Sequence, residues 1–139
     1  MIDINYLAIF IAAVAQFIIG AIWYMPLFGK LWGKIHGMEK VSKEEQQKMM
    51  KSMGPFLVIQ FLVTLVTTFV LAIFIAYQPT WNAYAMASFF WVGFVVPTQV
   101  SGVIFGGTKP KWIVAKILVQ AGGSLLCLEV AAAIIRTML

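Results

Sequence analysis

The chain has 139 residues, 62% hydrophobic and only 11% charged, with a formal net charge of +5 and a mean hydropathy of +0.93. Soluble domains run near ~45–50% apolar and ~25% charged, so a water-soluble globular fold is excluded: too few polar side chains exist to cover its surface. Disorder and a disulfide scaffold fall with it, because the chain is apolar and holds one cysteine, Cys127.

One all-α membrane domain over residues 1–139 is expected, with four transmembrane helices. The first span is predicted at about 4–27. Ala13-Val14-Ala15 resembles a signal-peptide cleavage site, but Met1-Ile2-Asp3 carries no Lys or Arg and the apolar run continues to Leu27. A retained helix is the expectation. Ala8, Ala12, Gln16 and Gly20 recur at four-residue spacing, a small-residue packing stripe with one amide in it.

Residues 28–53 form the only long connection. It holds Lys30, Lys34, Lys40, Lys43, Lys48 and Lys51 against Glu39, Glu44 and Glu45. Ser42-Lys43-Glu44-Glu45 predicts a short amphipathic helix, with Ser42 as N-cap, Glu45 completing a capping box, and Met49, Met50 and Met53 as its apolar edge. That helix is expected to lie on the membrane surface or to lead straight into the next span.

The second, third and fourth spans are predicted at about 55–77, 82–105 and 112–136. The second loop is uncharged, whereas the third, at 106–111, carries Lys109 and Lys111. The positive-inside rule then predicts loops 28–53 and 106–111 in the cytoplasm and both termini outside. Trp23, Tyr24, Trp32, Tyr77, Trp81, Tyr84 and Trp112 cluster near the span ends, as an aromatic belt does. Phe28-Gly29-Lys30 closes the first span and Phe105-Gly106-Gly107-Thr108-Lys109 the third. Gln60 and Thr64 in the second span parallel Gln120 and Ser124 in the fourth, so a duplicated two-helix unit is one reading.

The end of the first span reads Gly20-Ala21-Ile22-Trp23-Tyr24-Met25-Pro26-Leu27-Phe28-Gly29-Lys30-Leu31-Trp32. This G-x-x-W-Y-x-P-L-F-G-K-x-W run resembles the bacterial membrane family catalogued as domain of unknown function 1761. Trp91-Val92-Gly93-Phe94 is similar to a second family feature. The resemblance covers nearly the whole chain and implies the same four-span layout in a bacterial cytoplasmic membrane. It implies no activity and no catalytic residue. Read physically, Gly20 allows close helix approach, Pro26 frees the carbonyl of Ile22, and Gly29 permits a sharp exit. The run is then either a helix end with an interfacial belt or an aromatic-lined vestibule.

Each span contributes one glutamine: Gln16, Gln60, Gln99 and Gln120. These amides either bond between helices, at roughly 0.6 kcal/mol each in membrane cases, or line a polar cavity. Glu129 is the only acid well inside a span. It points opposite to Gln120 at ~100° per residue and lies ~10 Å along the axis from Arg136, which is expected to approach it by snorkelling. Glu129 is either interfacial or a proton- or cation-binding carboxylate. Lys116 is expected to snorkel.

His36 and Cys127 are single and fall on opposite sides of this topology, so no metal site is expected and no cofactor is implied. No phosphate-binding loop, dinucleotide fingerprint or catalytic carboxylate pair is present, so an enzyme is not expected. Nor is a nucleic-acid partner. Two functions remain. The first is a homo-oligomeric transporter or channel for a small solute or ion, lined by Gln16, Trp23, Tyr24, Gln60, Gln99, Gln120 and Glu129. The second is a non-enzymatic accessory, assembly or lipid-binding protein, whose basic loop Lys30–Lys51 contacts anionic lipid or a protein. The glutamine set favours the first.

Overall fold

A computed structural model describes residues 2–139. Among them every regular element is helical. Four helical stretches are long and apolar enough to cross a membrane, Tyr6–Leu27, Gly54–Tyr77, Ala83–Phe105 and Pro110–Met138, and the chain is an integral membrane protein.

The first span begins at Asn5, whose side chain accepts from the Ala8 amide at 3.0 Å and caps helix α1, Tyr6–Ile22. Pro26 removes a backbone donor near its far end. The helix absorbs the loss without breaking: Trp23–Leu27 is a π turn, and the Phe28 amide donates to the Trp23 carbonyl at 3.0 Å. The chain stays helical through α2, Gly29–Ile35, so the sharp exit expected at Gly29 does not occur there. The reversal comes at Gly37, whose φ of 69° suits a residue without a Cβ. Aromatic packing carries the helix past Gly29, since Trp32 lies against Tyr24 at 4.7 Å and against His36 at 4.4 Å.

Helix α3, Lys43–Ser52, is the amphipathic helix of the long connection. Ser42 Oγ accepts from the Glu45 amide at 3.3 Å, the N-cap the sequence predicts. Met49, Met50 and Met53 are exposed along its edge. Met53 alone separates α3 from α4, Gly54–Tyr77, and its backbone stays right-handed helical, so α3 leads almost directly into the second span.

The third span is α5, Ala83–Phe90, then a π turn, Trp91–Val95, then α6, Val96–Phe105. The fourth is a short 3-10 turn followed by α7, Ile113–Met138. The first and third spans thus share an interruption that opens on a tryptophan and is accompanied by a proline, Pro26 in one and Pro97 in the other. The likeness between them falls on Trp23 and Trp91 rather than on the Phe28 and Phe105 ends.

The packed core joins all four spans and is built of small and branched residues, among them Ala12, Ala72, Ala87, Ala131, Ala132, Ile75 and Ile135. Alanines matter because lipid tails are as apolar as leucine, so helices associate through close packing rather than through expulsion of water. These residues lie in the first half of the first and third spans and in the second half of the second and fourth. The core therefore fills the half of the bundle that bears the termini. The half that bears the two basic loops is more open, and Tyr24, Gln99, Lys116 and Gln120 lie there.

Candidate functional site

Two tryptophans set the frame of that open half. Trp23 Nε1 donates to the Val119 carbonyl of α7 at 2.9 Å. Trp91 Nε1 donates to the Ala121 carbonyl at 2.9 Å and to Ser124 Oγ at 3.1 Å. The Trp23 ring rests on Gly122 and Gly123, where an added Cβ would come within 3.0 and 2.9 Å of it. Close approach, expected at Gly20, is found instead at this pair: a Cβ on Gly20 meets nothing within 4 Å. Trp23, Tyr24 and Trp32 are half-buried against the bundle, while Tyr77, Trp81 and Tyr84 at the other end are exposed as belt residues.

Below this frame lies an open groove of about 390 Å³ between the first, third and fourth spans. Tyr24, Thr98, Gln99, Lys116 and Gln120 supply its polar lining, and among the described residues no carboxylate lines it. Lys116 and Gln120 are one helical turn apart on α7 and so share a face. The Lys116 ammonium, expected to snorkel, stands over the Trp32 ring at 5.7 Å, a cation–π contact of about 0.5–2 kcal/mol depending on its hydration. Gln99 Oε1 lies 3.4 Å from Ser124 Oγ, whose one hydrogen goes to the nearer Ala121 carbonyl at 3.0 Å, so either end of the Gln99 amide can turn to the groove. Thr98 donates to the Phe94 carbonyl at 2.6 Å, so its oxygen remains an acceptor. Thr98 and Lys116 are both absent from the seven candidates that the sequence brings forward, and Lys116 is the charged one. Its signal in the sequence is a lone cation inside a span, four residues before Gln120.

The seven candidate residues separate into several environments. Tyr24, Gln99 and Gln120 meet in the groove. Trp23 packs beside it on α7. Gln16 is buried in the bundle, where its Nε2 donates to Thr68 Oγ1 at 2.7 Å and to the Ala12 carbonyl at 3.2 Å. Gln60 lies on an exposed face of α4. Glu129 lies further along α7, where Ser88 Oγ donates to its Oε1 at 2.5 Å. Arg136 does not approach Glu129. It donates to the carbonyls of Pro79 and Trp81 and so ties down the turn between the second and third spans. The reason is competition for donors: a guanidinium has five, and two bare turn carbonyls lie within its reach.

The family described as "Protein of unknown function (DUF1761)" matches residues 7–136. No curated protein and no solved structure matches the chain.

Proposed function

The chain belongs to the DUF1761 family, and we propose that it is a homo-oligomeric transport protein of the bacterial cytoplasmic membrane that takes a small solute or ion into the groove beside Lys116. The observation that carries this reading is the pair of interrupted spans. Trp23–Leu27 and Trp91–Val95 both leave the α-helix, in the first and third spans that flank the groove. Single π turns inside α-helices gather at functional sites, and here two stand at matching places in the first and third spans. Tyr24, Gln99, Gln120 and Lys116 are the binding residues. Gln16 and Glu129 are engaged elsewhere by Thr68 and Ser88, so one chain supplies a groove and further copies supply the rest of a route. The basic loops 28–53 and 106–111 face the cytoplasm, with both termini outside.

A second reading is a lipid-binding or accessory role without catalysis. It is favoured by α3, whose exposed Met49, Met50 and Met53 sit among Lys48 and Lys51, a surface suited to anionic lipid or a protein partner.

Native mass spectrometry of the protein released from native membrane tests the first reading. The expected spectrum shows a dimer or larger, with one bound species of defined mass per chain that Gln120→Leu removes. A monomer, or an assembly whose bound masses ignore Gln120→Leu, overturns it.

A further inference from the structure

We infer that the groove is an anion site, and that Lys116 selects a ligand bearing a phosphate or carboxylate oxyanion. This rests on the groove being the binding site. Its lining holds one cation and no acid. Lysine offers donors only, and the Gln99 amide carries an NH₂ that can turn to an oxyanion. Gln120 adds a second amide on the same face of α7. Two amide donors and a positive charge therefore line one groove, with no carboxylate among its lining residues to neutralise the charge. The Trp32 ring holds the ammonium at 5.7 Å, which fixes its place yet leaves its hydrogens for a ligand, since a ring face accepts by its quadrupole rather than by lone pairs.

Depth agrees with charge. Lys116 lies ~5 Å along α7 from Ile113, and Gln120 lies about one turn deeper. The groove thus sits just inside the end of the bundle that carries the basic loops. An oxyanion reaching Lys116 remains near the membrane surface, whether it belongs to a lipid headgroup or to a solute from the water. Aromatic rings of Tyr24 and Trp32, 4.7 Å apart, flank that position and suit a ligand with an apolar part beside its charge.

The test uses the full chain and the variants Lys116→Gln and Lys116→Arg, each first checked for wild-type thermal unfolding in detergent. In one arm the protein is held in phosphatidylcholine vesicles containing phosphatidylglycerol, and native mass spectrometry counts the lipid retained per chain. In the other the vesicles are phosphatidylcholine alone, and tryptophan fluorescence is titrated with inorganic phosphate and with benzoate. The expected result is saturable binding in at least one arm, weakened roughly 10-fold or more by Lys116→Gln and largely kept by Lys116→Arg. Phosphatidylglycerol retention assigns a headgroup; phosphate or benzoate binding assigns a free anion. Retention of phosphatidylglycerol that ignores Lys116→Gln overturns the inference and places the lipid on the basic loop. Silence in both arms overturns it as well. A bound species lost with Gln120→Leu but kept with Lys116→Gln overturns the anion assignment alone and leaves the groove as a binding site.

Discussion

Trp23 and Trp91 stand on different spans and donate their indole N–H groups to carbonyls two residues apart on one helix, those of Val119 and Ala121, each at 2.9 Å. Both begin a π turn. A π turn carries one residue more than the α-helical ladder needs, so it rotates the helix beyond it by roughly 100°. In the first span that rotation accompanies Tyr24 into the groove, and in the third it precedes Gln99. The same two interruptions that dock the spans onto α7 also set the direction of the groove's polar lining.

The Trp23 contact depends on the absence of a side chain opposite it. Gly123→Ala would place a Cβ 2.9 Å from Trp23 Cδ1 and Nε1. We expect a loss of about 1–3 kcal/mol, the usual cost of overpacking, read from reversible unfolding in mixed micelles. Trp23→Phe is expected to cost only about 0.5–1.5 kcal/mol for the lost hydrogen bond and some packing. The two changes share one contact, so the double variant should be less destabilised than their sum. Full additivity would show that Trp23 does not rest on Gly123.

The Gln16–Thr68 pair is buried but not brittle. Thr68 Oγ1 donates to the Thr64 carbonyl at 2.7 Å, and Gln16 Nε2 also reaches the Ala12 carbonyl. Each partner keeps an acceptor on its own helix when the other is removed. A double-mutant cycle of Gln16→Leu and Thr68→Val should therefore give a coupling near ~0.6 kcal/mol, and no more than about 1.7. A larger coupling would mean the pair is held against an otherwise unsatisfied group.

Glu129 accepts from Ser88 through Oε1, and an amide in its place keeps that oxygen. Glu129→Gln is expected to leave unfolding within about 0.5 kcal/mol of wild type. It should also leave any species bound at the groove in place, because Gln120 and Glu129 belong to different halves of α7. Loss of that species in Glu129→Gln, seen by native mass spectrometry, would extend the binding site along the helix.

Orientation is open to direct labelling. In a Cys127→Ala background, Glu44→Cys and Thr80→Cys place single thiols on the basic loop and on the uncharged one. Both positions are exposed. A membrane-impermeant maleimide added to intact cells should label Thr80→Cys and spare Glu44→Cys until the membrane is opened. The reverse pattern would invert the topology.

The sequence by itself determined the four spans, the basic and neutral connections, and the helix capped by Ser42. Those are local quantities: an apolar run, a loop charge and a cap are each complete within a few residues of one another. It also brought Tyr24, Gln99 and Gln120 forward as polar groups in an apolar setting. Which of them meet was decided only by tertiary structure. Gln16 finds Thr68, Trp23 finds Val119, Ser88 finds Glu129, and Lys116 finds Trp32, all across spans. In a soluble helix the apolar face announces the core, but in lipid every face is apolar and the rotation of each span goes unwritten. Two π turns then shift the register partway along the first and third spans, so four-residue spacing does not keep to one face through them. Partner choice came from packing, where glycines at 122 and 123 admitted a tryptophan ring and two carbonyls between the second and third spans drew Arg136 away from Glu129.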